Sequence, residues 1–339
     1  MNLIDNRNQK VFIAGSGGMV GSAIKRAYLN DKKYNSKRDQ IILSPTRKEL
    51  DLSNYNSVDN WLKKNKPDIV IIAAAKVGGI YANKTQPKEF ILENLKIQTN
   101  LIELSYKHNV SKLLFLGSSC IYPKFANQPI IEEELLNGQL EPTNQYYALA
   151  KIAGIKLCEA LGKQNNFNAI CLMPTNLYGP GDNYHPMNSH VLPALIKKIS
   201  DAKKNHLKSI TCWGTGKPLR EFLFVDDLAD ACLFALEKWN PLDTNSPKDK
   251  FGNTLYWLNV GCSTEISIKN VVEKISNFVG YHGEILWDET KPDGTPRKIL
   301  DTSRMRKLGW ESKIDLDLGI KLTLKAYDDE MKRDKLRNV

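Results

Sequence analysis

The chain has 339 residues, of which 42% are hydrophobic and 25% charged, enough apolar content to exclude disorder and enough length for about two domains with a full core. Lys and Arg number 48 against 38 Asp and Glu, a formal net charge of +10, yet no basic stripe interleaved with aromatics points to a nucleic-acid partner, and most of the excess reads as solvated surface. The mean hydropathy of −0.39 and the shortness of the most apolar run, Ile69 to Ala75, argue against a membrane span, which needs about 20 apolar residues.

Five short apolar runs read as buried parallel strands: Lys10 to Ala14, Ile41 to Leu43, Ile69 to Ala73, Leu113 to Leu116 and Ala169 to Met173. Between them Met19 to Asn30, Val58 to Asn65, Pro87 to Asn109 and Gln145 to Lys163 carry helical spacing, the third with Phe90, Ile91, Leu95, Leu101, Ile102 and Leu104 on its apolar face. Strand and helix in alternation predict an α/β fold, a Rossmann-like doubly wound parallel sheet. After Gly179 the pattern changes to frequent Pro, Gly and Asn. A helix from about His190 to Lys204, a polar loop from Asn240 to Lys250, a strand from Tyr256 to Val260 and a helix near Ile268 to Val279 follow. This predicts a cofactor domain over 1–180, completed by a later segment at about 220–262, and a smaller C-terminal substrate-binding lobe within 181–339.

The first strand ends in Gly15-Ser16-Gly17-Gly18-Met19-Val20-Gly21, a G-x-x-G-x-x-G frame opening a helix. Glycines there permit a tight turn and close approach of backbone to a pyrophosphate, and the helix N-terminus favours the anion. The second strand is followed by Ser44-Pro45-Thr46-Arg47. With no carboxylate for a ribose 2′-OH and a guanidinium at Arg47, a 2′-phosphate fits better, so NADPH/NADP is the expected cofactor.

Leu116-Gly117-Ser118-Ser119-Cys120 follows the fourth strand, where polar groups face the cofactor crevice. Tyr147 and Lys151 form Y-x-x-x-K, which a helix places on one face. A nearby ammonium and the positive nicotinamide are expected to lower the phenol pKa so that Tyr147 exchanges a proton with a carbonyl or alcohol oxygen, to which Ser118 hydrogen-bonds. Six cysteines form no C-x-x-C pair and none has His at metal-ligand spacing, so no metal is expected. With no apolar signal-like segment at the N-terminus, reduced thiols in a cytoplasm are expected.

The order glycine loop, Ser-Ser at a strand end and Tyr-x-x-x-Lys resembles the extended short-chain dehydrogenase/reductase superfamily. More specific runs are Ala73 to Ile80 (AAAKVGGI), Gly117 to Pro123 (GSSCIYP), Pro174 to Pro180 (PTNLYGP) and Lys291 to Lys298 (KPDGTPRK). Over nearly the whole chain these are similar to the GDP-L-fucose synthase family. The resemblance implies 3,5-epimerisation of a GDP-4-keto-6-deoxymannose substrate, then reduction at C4 by NADPH. It implies Cys120 and His190 as the epimerising pair, Ser118 and Tyr147 at the ketone oxygen, and Lys151 at the nicotinamide ribose. Pro174, Thr175, Asn176 and Leu177 are implied on the nicotinamide side, and Lys198, Trp213, Arg220 and Asp293 at the GDP-sugar. A lone Trp213 would equally fill the core of the lobe, and a lone Cys120 would read as core packing. The family often has a basic residue where this chain has Gly17, which leaves Arg47 as the main support for a 2′-phosphate. A homodimer through Pro87 to Asn109 and Gln145 to Lys163 is also implied.

Overall fold

The computed structural model describes residues 9–30, 42–186, 188–291 and 293–338. The Asp31 to Asp39 elongation with its basic cluster, Ile41, Met187 and Pro292 lie outside the described residues.

The first sheet has six parallel strands in the order β2-β1-β3-β4-β5-β9: β1 Val11–Ala14, β2 Ile42–Leu43, β3 Ile69–Ile72, β4 Lys112–Leu116, β5 Ala169–Pro174 and β9 Trp257–Val260. Every residue of β1, β3, β4, β5 and β9 is buried, as parallel strands covered on both faces require. Helices α1 (Met19–Asn30), α2 (Tyr55–Asn65), α3 (Ile80–Thr85), α4 (Pro87–Lys107), α5 (Gln145–Asn165) and, later, α7 (Val225–Lys238) belong with this sheet. Local chemistry sets their ends. Asn54 caps α2 by accepting from Ser57 N, Lys66 closes it in the left-handed region, and Pro87 opens α4. The four helices expected between strands are present within a few residues of the expected bounds.

The second half contains β6 (Asn176–Tyr178), α6 (Val191–Lys204), β7 (Ser209–Trp213), β8 (Leu219–Phe224), β10 (Glu265–Ser267), α8 (Ile268–Val279), β11 (Glu284–Asp288), β12 (Arg297–Lys298), α9 (Ser303–Leu308) and α10 (Leu316–Lys332). Strand β8 pairs with β6, β10 and β12, and β7 pairs with β11. Of the later chain, β9 joins the first sheet and α7 packs beside α1, whereas β8 lies in the second sheet. A second apolar cluster built on Tyr178, Leu192, Ile196, Ile199, Phe222, Val271, Ile275 and Tyr327 serves this half. The chain thus crosses between the two cores rather than dividing at one linker.

Candidate active site

The strand ends of the first sheet carry the first group of expected residues. In the glycine loop, Gly18 N donates to Gly15 O at 3.0 Å. Gly15 has φ +87°, and a Cβ there would stand 2.6 Å from Ala74 N. A Cβ on Gly21 would run into the Gly15 carbonyl. Both positions therefore require glycine, while a Cβ on Gly17 would meet nothing within 4 Å. The loop is a tight turn with open space in front of it and no charged side chain of its own, and Met19 and Val20 begin α1. This cradle suits a pyrophosphate against backbone amides. At the end of β2, Arg47 is exposed and close enough to Asp51 for their charges to interact. A second cation stands there that the sequence reading missed: Lys25, on α1, donates to Ser44 Oγ at 3.0 Å.

At the end of β4, Leu116 O accepts from the buried Lys151 ammonium at 2.8 Å. Lys151 also lies over the rings of Phe115 and Tyr147, at 4.6 and 5.9 Å. Ser118 Oγ accepts from Cys120 N at 3.2 Å, capping a 3-10 turn over Ser119–Ile121, and Ser119 is buried. Tyr147, half-buried on α5, hydrogen-bonds to Ser118. Its ionisation departs from the expectation. Burial pushes the phenol pKa up, a thiolate at Cys120 would push it further, and only the Ser118 bond opposes them. Burial also brings the Lys151 ammonium down, to about 7. Tyr147 is therefore held protonated.

A second group meets beside this one. His190 occupies the N-cap position of α6, without a side-chain capping bond, at the end of the segment that follows Asn188. His190 is exposed, with enough protein around its ring to disfavour the cation. Burial, then the Lys298 charge, lowers its pKa below the usual 6.5. Lys298 Nζ stands 3.5 Å from Cys120 Sγ. Thus one ammonium faces both the thiol and the imidazole, and Lys298 was not singled out from sequence although it ends the KPDGTPRK run. It is brought there by β12, whose Lys298 is the register partner of Arg220 on β8. Arg297 fixes that strand by a two-point pair with Glu265, at 2.8 and 2.9 Å. The His190 loop leans on Gly79: Gly79 N donates to Asn188 O at 2.9 Å, and a Cβ on Gly79 would stand 2.6 Å from Ser189 O. His185 is a brace in the same loop, with Nδ1 accepting from Asn188 N at 3.2 Å.

The Cys120 turn is anchored from behind. Tyr122 Oη donates to Asn259 Oδ1 at 2.6 Å, and Asn259 N donates to Glu132 Oε1 at 3.0 Å. Arg304 bonds both Glu132 and Glu133. Thr175 N donates to Val260 O at 3.0 Å, and Thr175 Oγ1 and Asn176 Nδ2 both donate to Glu221 O. Pro174 ends β5, while Asn176 and Leu177, half-buried, open β6.

Three of the four residues expected at the GDP-sugar are linked directly or through neighbours. Arg220 Nη2 donates to Asp293 O at 3.3 Å, and burial lowers the Arg220 pKa. The Asp293 carboxylate accepts from Thr215 N at 2.8 Å and Thr215 Oγ1 at 2.7 Å, bracing the turn after Trp213. Trp213 is 56% exposed, with Lys291 Nζ 5.8 Å from its ring centroid, so it does not fill the core of the lobe. Lys198, farther along, donates to Thr211 O at 2.7 Å. Arg220 also lies within charge range of Cys120, which joins this cluster to the Cys120 turn. Among the described residues, no group of three His, Cys, Asp or Glu is placed to hold a metal ion.

Comparison with known proteins bears on this arrangement. Residues 11–246 match the NAD dependent epimerase/dehydratase family. A putative GDP-L-fucose synthase 2 of Arabidopsis thaliana is 50% identical over 321 residues, 95% of this chain and 92% of the relative. The GDP-L-fucose synthase of Escherichia coli K12 is 45% identical over 327 residues, covering 96% of this chain and 98% of the relative. Among solved structures, a GDP-mannoheptose C4 reductase from Campylobacter jejuni with NADP bound is 35% identical, with a TM-score of 0.82, over 95% of this chain and 99% of that one.

Proposed function

The chain belongs to the NAD dependent epimerase/dehydratase family, within it to the GDP-L-fucose synthases, and on that footing we infer that it converts GDP-4-keto-6-deoxy-D-mannose to GDP-L-fucose. The reaction is 3,5-epimerisation followed by reduction of the C4 ketone. NADPH, when bound, supplies the hydride. The uncharged glycine cradle, Arg47 and Lys25 fit such a dinucleotide, as do the backbone and side chains of Leu116 to Ser119 and Pro174 to Leu177 beside the nicotinamide.

The observation that carries this reading is the second acid/base centre. A simple 4-epimerase needs only the Ser118, Tyr147 and Lys151 set. Here Cys120, His190 and Lys298 converge next to it. Ser118 and Tyr147 hydrogen-bond the C4 oxygen and stabilise the enolate that forms when a proton leaves C3 or C5. Cys120 and His190 exchange those protons, one removing and the other delivering. A lowered pKa leaves His190 neutral, and so able to accept a proton, at neutral pH. The Lys298 ammonium is placed to pair with a thiolate at Cys120. In the second step Tyr147 gives its proton to the C4 oxyanion. A phenol whose proton is held by burial keeps it until that strong base appears. Lys151, fixed on Leu116 O, holds the nicotinamide ribose. Arg220 and Lys198 meet the diphosphate, Trp213 offers a flat wall, and Asp293 holds the turn that presents it.

Incubation with GDP-4-keto-6-deoxymannose and NADPH tests this. Cofactor oxidation with GDP-L-fucose as product is expected. A protein that binds NADPH but does not oxidise it with this substrate overturns the reading.

The enzyme acts as a homodimer through α4 and α5, which pack on each other and leave Leu92, Tyr106, Tyr146 and Leu149 exposed. Light scattering at working concentration checks this, and a monomer mass refutes it. Its setting is cytoplasmic, in keeping with six unpaired cysteines. Among the described residues, no helix is long and apolar enough to cross a membrane.

A further inference from the structure

The glycine loop has an unexpected neighbour. After α10 the chain runs on to 338 and returns to the mouth of the loop. Its course is pinned: Tyr184 N donates to Arg337 O at 2.8 Å, Lys335 N donates to Glu330 O at 2.9 Å, and Leu336 packs against the second apolar cluster. An open cleft is thereby bordered by Gly17, Gly18 and Ser22 together with Gly181, Glu330, Lys335 and Arg337. A Cβ on Gly18 would stand 3.8 Å from Arg337 Nη1.

Charge in this cleft comes from the tail. Residues 15–21 contribute none. Among the described residues, the Arg337 guanidinium makes no hydrogen bond or ion pair within 4 Å, although it attracts the buried Asp182 carboxyl from farther off. Glu330 is the carboxyl in the lining, and its Oε1 already accepts from Gly181 N at 2.9 Å. Burial raises both carboxyls, Asp182 to about 7, which lessens the opposition of Asp182 to an anion. The Arg337 guanidinium stands beside the N-terminal turn of a 12-residue helix, Lys335 lines the same cleft, and Gly17 leaves open space there. An anion held there gains charge-assisted hydrogen bonds from a flat guanidinium, which suits phosphate oxygens.

We propose that Arg337, with Lys335, holds a phosphate of the dinucleotide, so that the tail following the last helix completes the cofactor site. The assignment rests on the reading of the chain as an NADPH-dependent enzyme. It also links the two halves, since the segment that closes over the cofactor is anchored on the core of the substrate lobe. Nucleotide binding then fixes the tail.

The test is binding, without turnover. NADPH and NADH are titrated by nicotinamide fluorescence into the wild type, R337Q, R337K and K335Q/R337Q. R337Q should weaken NADPH about tenfold, the double variant more, and R337K less. Melting temperatures without nucleotide should be unchanged, because the tail is held by the Arg337 carbonyl and Leu336. A larger loss for NADPH than for NADH assigns the 2′-phosphate, and an equal loss assigns the pyrophosphate; either supports the proposal. NADPH should also protect the wild-type tail from trypsin at Lys335 and Arg337. Unchanged affinities in R337Q and K335Q/R337Q, beside a wild type that binds, overturn this assignment alone. A wild type that binds neither nucleotide overturns it together with the reading beneath it. Should the double variant not fold, R337Q carries the same comparison.

Discussion

The two groups of side chains proposed for acid/base work sit side by side and are built in opposite ways. Ser118, Tyr147 and Lys151 come from one wall, the end of β4 and the helix α5 packed behind it. Their geometry follows from a helical spacing and one strand end, and Lys151 is locked on the adjacent Leu116 carbonyl. Cys120, His190 and Lys298 come from three segments far apart in the chain, each steadied by its own device: the Tyr122–Asn259–Glu132 chain, the Gly79 contact and the Arg297–Glu265 pair. The first group is rigid by local structure, the second by tertiary contacts. The two should therefore fail separately when perturbed.

The largest expected effect is at the local group. Tyr147→Phe removes the proposed acid for the C4 oxygen and should lower NADPH oxidation about 10²- to 10⁴-fold. Solvent deuterium exchange at C3 and C5 should fall much less, since Ser118 still meets the oxygen. Near wild-type turnover would refute the acid role. Cys120→Ser is the mirror experiment. Exchange at C3 and C5, followed by NMR, should fall about 10²-fold or more while NADPH binding is kept. Normal exchange would make Cys120 structural.

Smaller changes probe the supports. Gly79→Ala pushes a methyl against Ser189 O, displacing the His190 loop. Exchange should drop about tenfold, consistent with misplacement of about 1 Å, with an overpacking cost of about 1–3 kcal/mol in thermal unfolding. Unaltered exchange would show that the loop tolerates the shift. The smallest effect is on pH dependence. The neutral imidazole of His190 persists below pH 6.5 because burial and the Lys298 charge both disfavour its cation. The acid limb of exchange should therefore lie below 6.5. In Lys298→Met one of the two causes is gone, so the limb should move up, toward 6.5, by under about one unit. A wild-type limb above 6.5, or an unmoved limb in the variant, would detach His190 from the exchange.

The same contrast separates what could be read in the chain. The strands of the first sheet and four of its helices were legible because continuous apolar runs and 3.6-residue periodicity leave few alternatives, whereas the six-residue α3 and the later α7 were not singled out. The short strands of the second half were not. In β7, buried Ile210 and Cys212 alternate with exposed Ser209, Thr211 and Trp213, and β12 is two residues long. Trp213 shows the limit for single side chains, since an exposed wall and a core filler have the same sequence. The raised phenol of Tyr147 shows it for electrostatics: spacing sets Tyr147 and Lys151 on one face, but burial sets which of them holds its proton.

By itself, the sequence determined the glycine turn, the doubly wound sheet and the Ser-Tyr-Lys wall, because steric and periodic constraints act over a few residues. Only the tertiary structure decided which distant cations meet them. Lys298 reaches Cys120 because β12 pairs with β8, and Arg337 reaches the glycine loop because α10 ends on the second core. Charge acts through space across contacts that no local pattern encodes, so its placement is settled only when the chain has folded.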